Sequence, residues 1–149
     1  MQSISVKKLP HFGDLELPKF ETPGSAGMDL RAAVDTSVTL EPGERKMIPT
    51  GLAMAIPQGF AGIMCGRSGL ATKSGIHPVP APGVIDSDYR GELMVCLINL
   101  DKRNSFVINR GDRIGQFLIL PVFQPQWREV EELDTTERGT GGHGSTGHK

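Results

Sequence analysis

Leu93-Met94-Val95-Cys96-Leu97-Ile98-Asn99-Leu100 is an apolar run that only Asn99 interrupts. A nearly continuous run of this kind is typical of a β-strand in the middle of a sheet, with little of either face open to water. We therefore expect a central strand here, and the neighbouring sequence shows what could surround it.

Shorter apolar or alternating segments, separated by turn signals, recur along the rest of the chain. The apolar residues alternate in Leu52, Met54 and Ile56, as expected of a strand with one face in the core. The other predicted strands are Ile4–Val6, Val38–Leu40, Lys46–Ile48, Phe60–Cys65, Phe106–Ile108 and Phe117–Val122. Turns are predicted at Glu41-Pro42-Gly43, Pro57-Gln58-Gly59 and Asn109-Arg110-Gly111-Asp112.

The 19 glycines and 11 prolines leave few windows for a helix, so the composition favours an all-β domain, a sandwich or jelly roll. One helical turn is predicted at 68–73, with Ser68 as its N-cap. The length of 149 residues suits one domain. We expect this domain to span residues 1–136, followed by a mobile glycine-rich tail at 137–149.

The charge balance is close to even, with 16 basic and 17 acidic residues. This argues against a nucleic-acid polymer or a membrane surface as partner. Cys65 and Cys96 have apolar neighbours and are predicted to be buried free thiols, which favours a reducing compartment. No apolar signal region occurs in 1–9, so we expect a cytoplasmic protein.

Two segments have the composition of anion sites. Arg67-Ser68-Gly69 places a cation, a hydroxyl and bare backbone at the predicted helix start, although a plain turn with a solvated arginine is the alternative. The tail 137–147 is glycine-rich and carries Arg138, but Ser145 stands where a Walker loop needs lysine. It could wrap a polyphosphate, and a disordered terminus is the alternative.

Three further segments carry isolated polar residues. The segment 83–93 is predicted to be a hairpin, in which Asp86 follows Ile85 on an apolar arm where a carboxylate is costly without a task or partner. Asp29 lies in a strand-like patch at 25–32, and Gln116 precedes a predicted strand. Arg110-Gly111-Asp112 matches an adhesion tripeptide, but a turn is the better interpretation.

In this order, the five segments closely resemble the five motifs of the trimeric dUTPases, with matches from Gly24 to Gly147. The resemblance implies a jelly-roll (β-clip) homotrimer that hydrolyses dUTP to dUMP and pyrophosphate with Mg²⁺. Such an enzyme keeps uracil out of DNA and supplies dUMP for thymidylate synthesis. The resemblance also implies active sites that are shared between three subunits.

The resemblance assigns a role to each site residue. Asp86 would activate the attacking water, and Asp29 would hold the metal through water. The phosphate-binding residues would be Arg67, Ser68, Gly69, Gln116, Arg138, Ser145 and Thr146. The base-binding and sugar-binding residues would be Pro80, Gly83, Val84, Ile85, Tyr89, Met94 and His143, with Tyr89 under the deoxyribose.

The chain departs from the family pattern at two positions. Pro80 stands where many members have asparagine, and proline has no backbone donor, so the amides of Gly83 and Val84 are better candidates for reading uracil. His143 stands where most members have a phenylalanine that stacks on the base. A histidine can also stack, and its charge would make tail closure depend on pH.

Two other functions compete with dUTP hydrolysis. A dCTP deaminase would share the fold and the triphosphate site, but it lacks the glycine-rich tail, and no zinc-deaminase signature occurs in this sequence. A non-catalytic trimer could use the same pocket for regulation. The presence of Asp86, Arg67 and Arg138 argues for catalysis.

Overall fold

The computed structural model describes residues 3–142. Within that range the chain forms ten strands, one α-helix and one 3-10 helix, so the all-β prediction is confirmed. The strands are β1 (Ser5–Lys8), β2 (Met28–Arg31), β3 (Val38–Leu40), β4 (Arg45–Ala55), β5 (Phe60–Cys65), β6 (Ile76–Pro78), β7 (Gly83–Ile85), β8 (Glu92–Asn99), β9 (Phe106–Ile108) and β10 (Arg113–Pro121). The 3-10 helix is Pro10–Phe12 and the α-helix, α1, is Ser68–Ser74.

The strands form three antiparallel sheets. The first has the order β1-β4-β8-β6, the second β2-β10-β5-β7, and the third pairs β3 with β9. One hydrophobic core joins them, with Leu97 from the first sheet, Phe117 from the second and Leu40 from the third, all fully buried. None of the helices within residues 3–142 is long and apolar enough to cross a membrane.

The predicted central strand at 93–100 corresponds to β8, which lies between β4 and β6 in the first sheet. Its burial alternates, however. Leu93, Val95 and Leu97 face the core, whereas Met94 is exposed and Cys96 is half-buried. Met94 and Cys96, on the second face of β8, are therefore apolar for a reason other than core packing.

Strand β4 corrects the sequence prediction of two separate strands at 46–48 and 52–56. It is one strand whose register shifts between Pro49 and Ala53. Gly51 lies in this bulge with φ of 69°, and a β-carbon there would collide with Phe12. Only glycine satisfies both conditions, so the 3-10 helix packs directly on the bulge.

The predicted hairpin at 83–93 is wrong in its pairing. A turn forms as expected, since Tyr89 N–H donates to the Asp86 carbonyl. The two arms nevertheless belong to different sheets, because β7 pairs with β5 whereas β8 pairs with β4 and β6. The local sequence predicts the turn, but long-range pairing selects the partners.

The helix and thiol predictions also need correction. Arg67, not Ser68, occupies the N-cap position of α1, and Ser68 is the first helical residue. Cys65 and Cys96 are free as predicted but half-buried.

The three predicted turns are present, each with a hydrogen bond across it and a glycine at positive φ: Gly43, Gly59 and Gly111.

Candidate active site

An acidic side chain bound by two arginines lies at one end of the second sheet. Arg67 Nε donates to Asp29 Oδ1 at 3.0 Å, and Arg113 Nη1 donates to Asp29 Oδ2 at 3.1 Å. The Asp29 side chain is only 10% exposed. One carboxylate against two guanidinium groups leaves the cluster with a net positive charge, which favours an anion such as phosphate.

Strand register brings three of the sequence motifs to this cluster. Gln116 in β10 lies opposite Asp29 in β2 on one side and opposite Cys65 in β5 on the other. Arg67 follows Cys65 by two residues, and Ser68 and Gly69 form the exposed first turn of α1. The sequence did not predict Arg113 as a site residue, because its contact with Asp29 depends on the pairing of β2 with β10.

A second feature is a cavity of about 360 Å³ between β7 and β8. Its lining includes every predicted base-binding and sugar-binding residue that the structure describes: Pro80, Gly83, Val84, Ile85, Tyr89 and Met94. Met94 and Cys96 come from the second face of β8, so the apolar character of that face is explained by the cavity wall. A largely apolar cavity of this size is typical of a small-molecule site.

The polar groups available to a ligand in this cavity include backbone groups. β7 is the outer strand of its sheet, and within residues 3–142 it pairs with β5 alone. About half of its backbone donors and acceptors are therefore directed away from the sheet. Consecutive residues of such a strand alternate, so one of Gly83 and Val84 directs its amide outward and is a candidate for reading a base.

Tyr89 has a fixed position at the cavity. Its hydroxyl donates to the Glu92 carbonyl at 3.0 Å. A β-carbon at Gly91 would overlap the Tyr89 side chain, so the ring lies directly over Gly91 and a larger residue there would displace it. About half of the tyrosine stays exposed, which leaves one side available to a ligand.

Asp86 lies at the junction of two cavities. It lines the apolar cavity and also a polar one of about 550 Å³, whose other polar lining residues are Gln58, Ser87, Asp88, Arg90 and Gln124. Its side chain is exposed in the single chain. The sequence argument that Asp86 is buried beside Ile85 is therefore wrong for the single chain, because Asp86 lies just beyond β7, where the turn at 86–89 begins.

The two features do not meet within one chain. Ile85, which precedes Asp86, lies opposite Gly62 in β5, whereas Arg67 follows the other end of β5. Five residue steps separate Gly62 from Arg67, about 16 Å if the backbone is fully extended. Asp86 and Arg67 thus belong to two separate features of the chain.

The segment after β10 leaves the sheets. Val122 N–H donates to the Gly59 carbonyl at 2.8 Å, and residues 123–140 are exposed. Arg138 lies in this exposed segment, where its carbonyl accepts from Gly141 N–H. The other predicted tail residues, His143, Ser145 and Thr146, lie outside the described residues.

The side chains fit a metal only in one mode. Residues 3–142 contain no group of three or more His, Cys, Asp or Glu side chains that could hold an ion. Mg²⁺ commonly keeps several waters and is bound through one or two carboxylates and substrate phosphates. Asp29 could reach such an ion only through water, because both of its carboxylate oxygens already accept hydrogen bonds from arginines.

The fold is all-β, and the site combines a positive cluster, an apolar cavity and an exposed carboxylate. This combination is typical of a protein that binds a small anionic ligand with an apolar part, such as a nucleotide. The family model described as dUTPase matches residues 14–147. The chain belongs to the dUTPase family.

Individual relatives agree with this assignment. The deoxyuridine 5'-triphosphate nucleotidohydrolase of Maricaulis maris is 55% identical, covering 98% of this chain and 97% of the relative. That of the Wolbachia of Brugia malayi is 54% identical, covering 97% and 93%. The structure of Staphylococcus bacteriophage 80alpha dUTPase with dUpNHpp has a TM-score of 0.87 and 29% identity, covering 99% of each chain. The predicted jelly-roll subunit is thereby confirmed.

Proposed function

We propose that this chain hydrolyses dUTP to dUMP and pyrophosphate with Mg²⁺. The observation that carries the proposal is the cavity between β7 and β8, which is lined by Asp86 and by those predicted nucleoside-binding residues that the structure describes. The similar proteins named deoxyuridine 5'-triphosphate nucleotidohydrolase support the substrate. The phage dUTPase structure with dUpNHpp supports a nucleotide in such a fold.

Asp86 is the proposed general base. Its exposed carboxylate, between an apolar and a polar cavity, can accept a proton from a water molecule. That water attacks the α-phosphorus in line with the departing pyrophosphate. Arg67, Ser68, Gly69 and Gln116 hold the phosphates, and Arg113 adds positive charge beside them.

The cavity accounts for the choice of nucleoside. Backbone groups on the outer edge of β7, from Gly83 or Val84, hydrogen-bond to the pairing edge of uracil, and cytosine presents the opposite pattern. A site built for one pattern rejects the other by about 10⁴-fold, because buried polar groups would be left unpaired. The Tyr89 ring packs under the deoxyribose, where a 2′-hydroxyl would clash.

The active unit is a homotrimer. The separation of Asp86 from Arg67 along β5 supports this, because a site that uses both residues needs them from different subunits. The exposed Phe123, Trp127 and Leu133 are apolar side chains that a neighbouring subunit would cover. Arg138, Ser145 and Thr146 of the tail then close over the β- and γ-phosphates, and His143 stacks on the base.

Asp29 would hold Mg²⁺ through water, and the ion would neutralise charge on the phosphates when bound. A similar phage phi11 dUTPase is described with a structural Mg(II) ion, with a TM-score of 0.78 and 26% identity. The half-buried free thiols of Cys65 and Cys96 are consistent with a cytoplasmic location.

The test is product identification after incubation of the full chain with dUTP, dCTP or UTP and Mg²⁺. We expect pyrophosphate and dUMP from dUTP, with little turnover of the other two. Ammonia released from dCTP would indicate a deaminase. Tight binding of dUTP without any product would indicate the non-catalytic trimer.

A further inference from the structure

The pair formed by His11 and Glu92 lies behind the nucleotide cavity and has no part in the proposed chemistry. His11 Nε2 lies 2.7 Å from Glu92 Oε1, and the Gly51 N–H donates to the same oxygen at 2.7 Å. The pair is partly buried, with 30% of the histidine side chain and 19% of the glutamate side chain exposed. These contacts join the N-terminal segment to the first residue of β8.

Glu92 connects this pair to the cavity. It lines the nucleotide cavity and also a separate open cavity of about 400 Å³ on the His11 side. Its carboxylate is fixed by His11 and Gly51, while its backbone carbonyl accepts the Tyr89 hydroxyl at 3.0 Å. A shift of Glu92 would therefore move the group that anchors Tyr89.

His11 itself is held firmly. Arg110 donates to the carbonyls of His11 and Phe12 at 3.0 and 2.9 Å and also pairs with Asp14. Phe12 is buried against Gly51, whose carbonyl accepts from Leu9 N–H. The Arg110-Gly111-Asp112 turn thus has a structural use, since its arginine clamps the segment that presents His11.

We propose that His11 is a positioning residue for the sugar end of the nucleotide cavity, acting through Glu92 on Tyr89. Without a donor from His11, the Glu92 carboxylate keeps only the Gly51 N–H and turns toward water to complete its hydrogen bonds. The first residue of β8 and its carbonyl then move, and the Tyr89 ring moves with them. This inference rests on the proposed function for the identity of the ligand but not for the movement of Tyr89.

The experiment uses two amides of different length at position 11. His11→Gln places an amide nitrogen close to the position of Nε2 and keeps a donor for Glu92. His11→Asn has the same chemistry but is too short to reach. Lys19→Ala is the control, because it removes the cation of an exposed ion pair with Glu16 in the same segment.

Tyr89 is the one tyrosine of the chain, so 3-fluorotyrosine labelling gives a single ¹⁹F NMR resonance that reports on its ring. We expect His11→Gln and the control to keep the wild-type resonance and His11→Asn to shift or broaden it. We also expect His11→Asn to lower the ratio of kcat/KM for dUTP over UTP by about 10-fold or more, since small misplacements of positioning groups cost rates of this order. His11→Gln should restore the ratio.

The outcomes separate the possible roles. Identical resonances and identical dUTP-to-UTP ratios in the Gln and Asn variants would overturn the proposal, even if thermal stability fell, because a merely structural role predicts that result. If His11→Asn does not fold, Glu92→Ala against Glu92→Gln gives the same comparison from the other partner. Absence of dUTP turnover in the wild type would reject the proposed function, while the ¹⁹F comparison on the free protein would still test the positioning.

Discussion

Asp86 follows β7 beside the first half of β5, whereas Arg67 follows the last residue of β5, so the two residues lie near opposite ends of this strand. The first lines the nucleoside cavity and the second belongs to the Asp29 cluster. Under the proposed function, these two features would be halves of one site that different subunits complete.

Mixed trimers should regain activity that the parent variants lack. Asp86→Asn and Arg67→Gln homotrimers each have three damaged sites. In a cyclic trimer that contains both kinds of subunit, one interface combines the intact Asp86 with the intact Arg67. After unfolding and refolding of an equal mixture, random assembly predicts about one quarter of wild-type activity. Steady-state pyrophosphate release is the measurement.

Mixing the two folded variants without unfolding is the control, and no activity should appear before subunits exchange. Activity no higher than that of the separately refolded parents would place Asp86 and Arg67 in the site of one subunit. It would also contradict the separation argued from β5.

Replacement of Asp86 by asparagine should abolish catalysis while preserving binding. The amide has nearly the same shape as the carboxylate but cannot accept the proton from water, so we expect kcat to fall by about 10²- to 10⁴-fold. The dissociation constant for a non-hydrolysable dUTP analogue, measured by calorimetry, should change little. Asp88→Asn, in the same turn, is the matched control. If Asp86→Asn kept its kcat and Asp88→Asn lost it, the two carboxylates would exchange roles.

Asn99 should be one of the most sensitive polar positions of the fold. It is fully buried at the end of β8, donates to the carbonyls of Leu40 and Asn104, and accepts from Asp101 N–H. Asn99→Leu keeps a similar volume but leaves these backbone groups without partners. We expect a loss of about 3 kcal/mol in the free energy of unfolding, on the basis of typical costs for buried unpaired groups.

Urea denaturation at one fixed protein concentration measures this loss, because the stability of an oligomer depends on concentration. Asn104→Ala is the control, since that side chain is exposed and its carbonyl remains. Equal stability of the Asn99 variant and the wild type would show that the three bonds contribute nothing net.

The sequence predicted local features better than long-range ones. Val38–Leu40, Phe60–Cys65 and Phe106–Ile108 have their predicted bounds, because turn residues delimit them. β6 was missed because Pro78 argues against a strand, yet β6 is an edge strand and tolerates proline at its end. The hairpin prediction failed in its pairing because the choice of sheet partner for each arm depends on residues far away in the chain.

The residues of the candidate site also divide into those that the sequence predicts and those that depend on long-range strand pairing. The resemblance placed Pro80, Tyr89 and Met94 in one nucleoside site, and they share one cavity. No residue pattern could show that Asp29 is bound by Arg113, because this contact depends on the pairing of β2 with β10. The burial expected for Asp86 was also a local inference, and the exposed face of its turn reverses it in the single chain.

Asp101 gives the fold part of its sensitivity to acid. Its carboxylate Oδ1 accepts from Arg103 N–H at 2.7 Å and from Asn104 N–H at 2.8 Å, which closes the turn after β8. These backbone donors, Arg103 first, hold the pKa of Asp101 below its ordinary value of 3.8. A carboxyl whose pKa is lower in the folded than in the unfolded state stabilises the fold at pH values above its ordinary pKa. That stability is lost as the pH falls through the lowered pKa.

Asp101→Asn should therefore flatten the acid limb of the stability curve. The amide oxygen can still accept both backbone bonds, but it does not titrate. We expect the Tm of the wild type to fall more steeply than that of the variant as the pH is lowered from about 5 to below 3.8, where the folded state binds fewer protons than the unfolded one. Asp134→Asn is the control, because that carboxylate lies in the exposed segment after β10. Parallel acid limbs for the wild type and Asp101→Asn would show that the turn is held equally well by a protonated carboxyl.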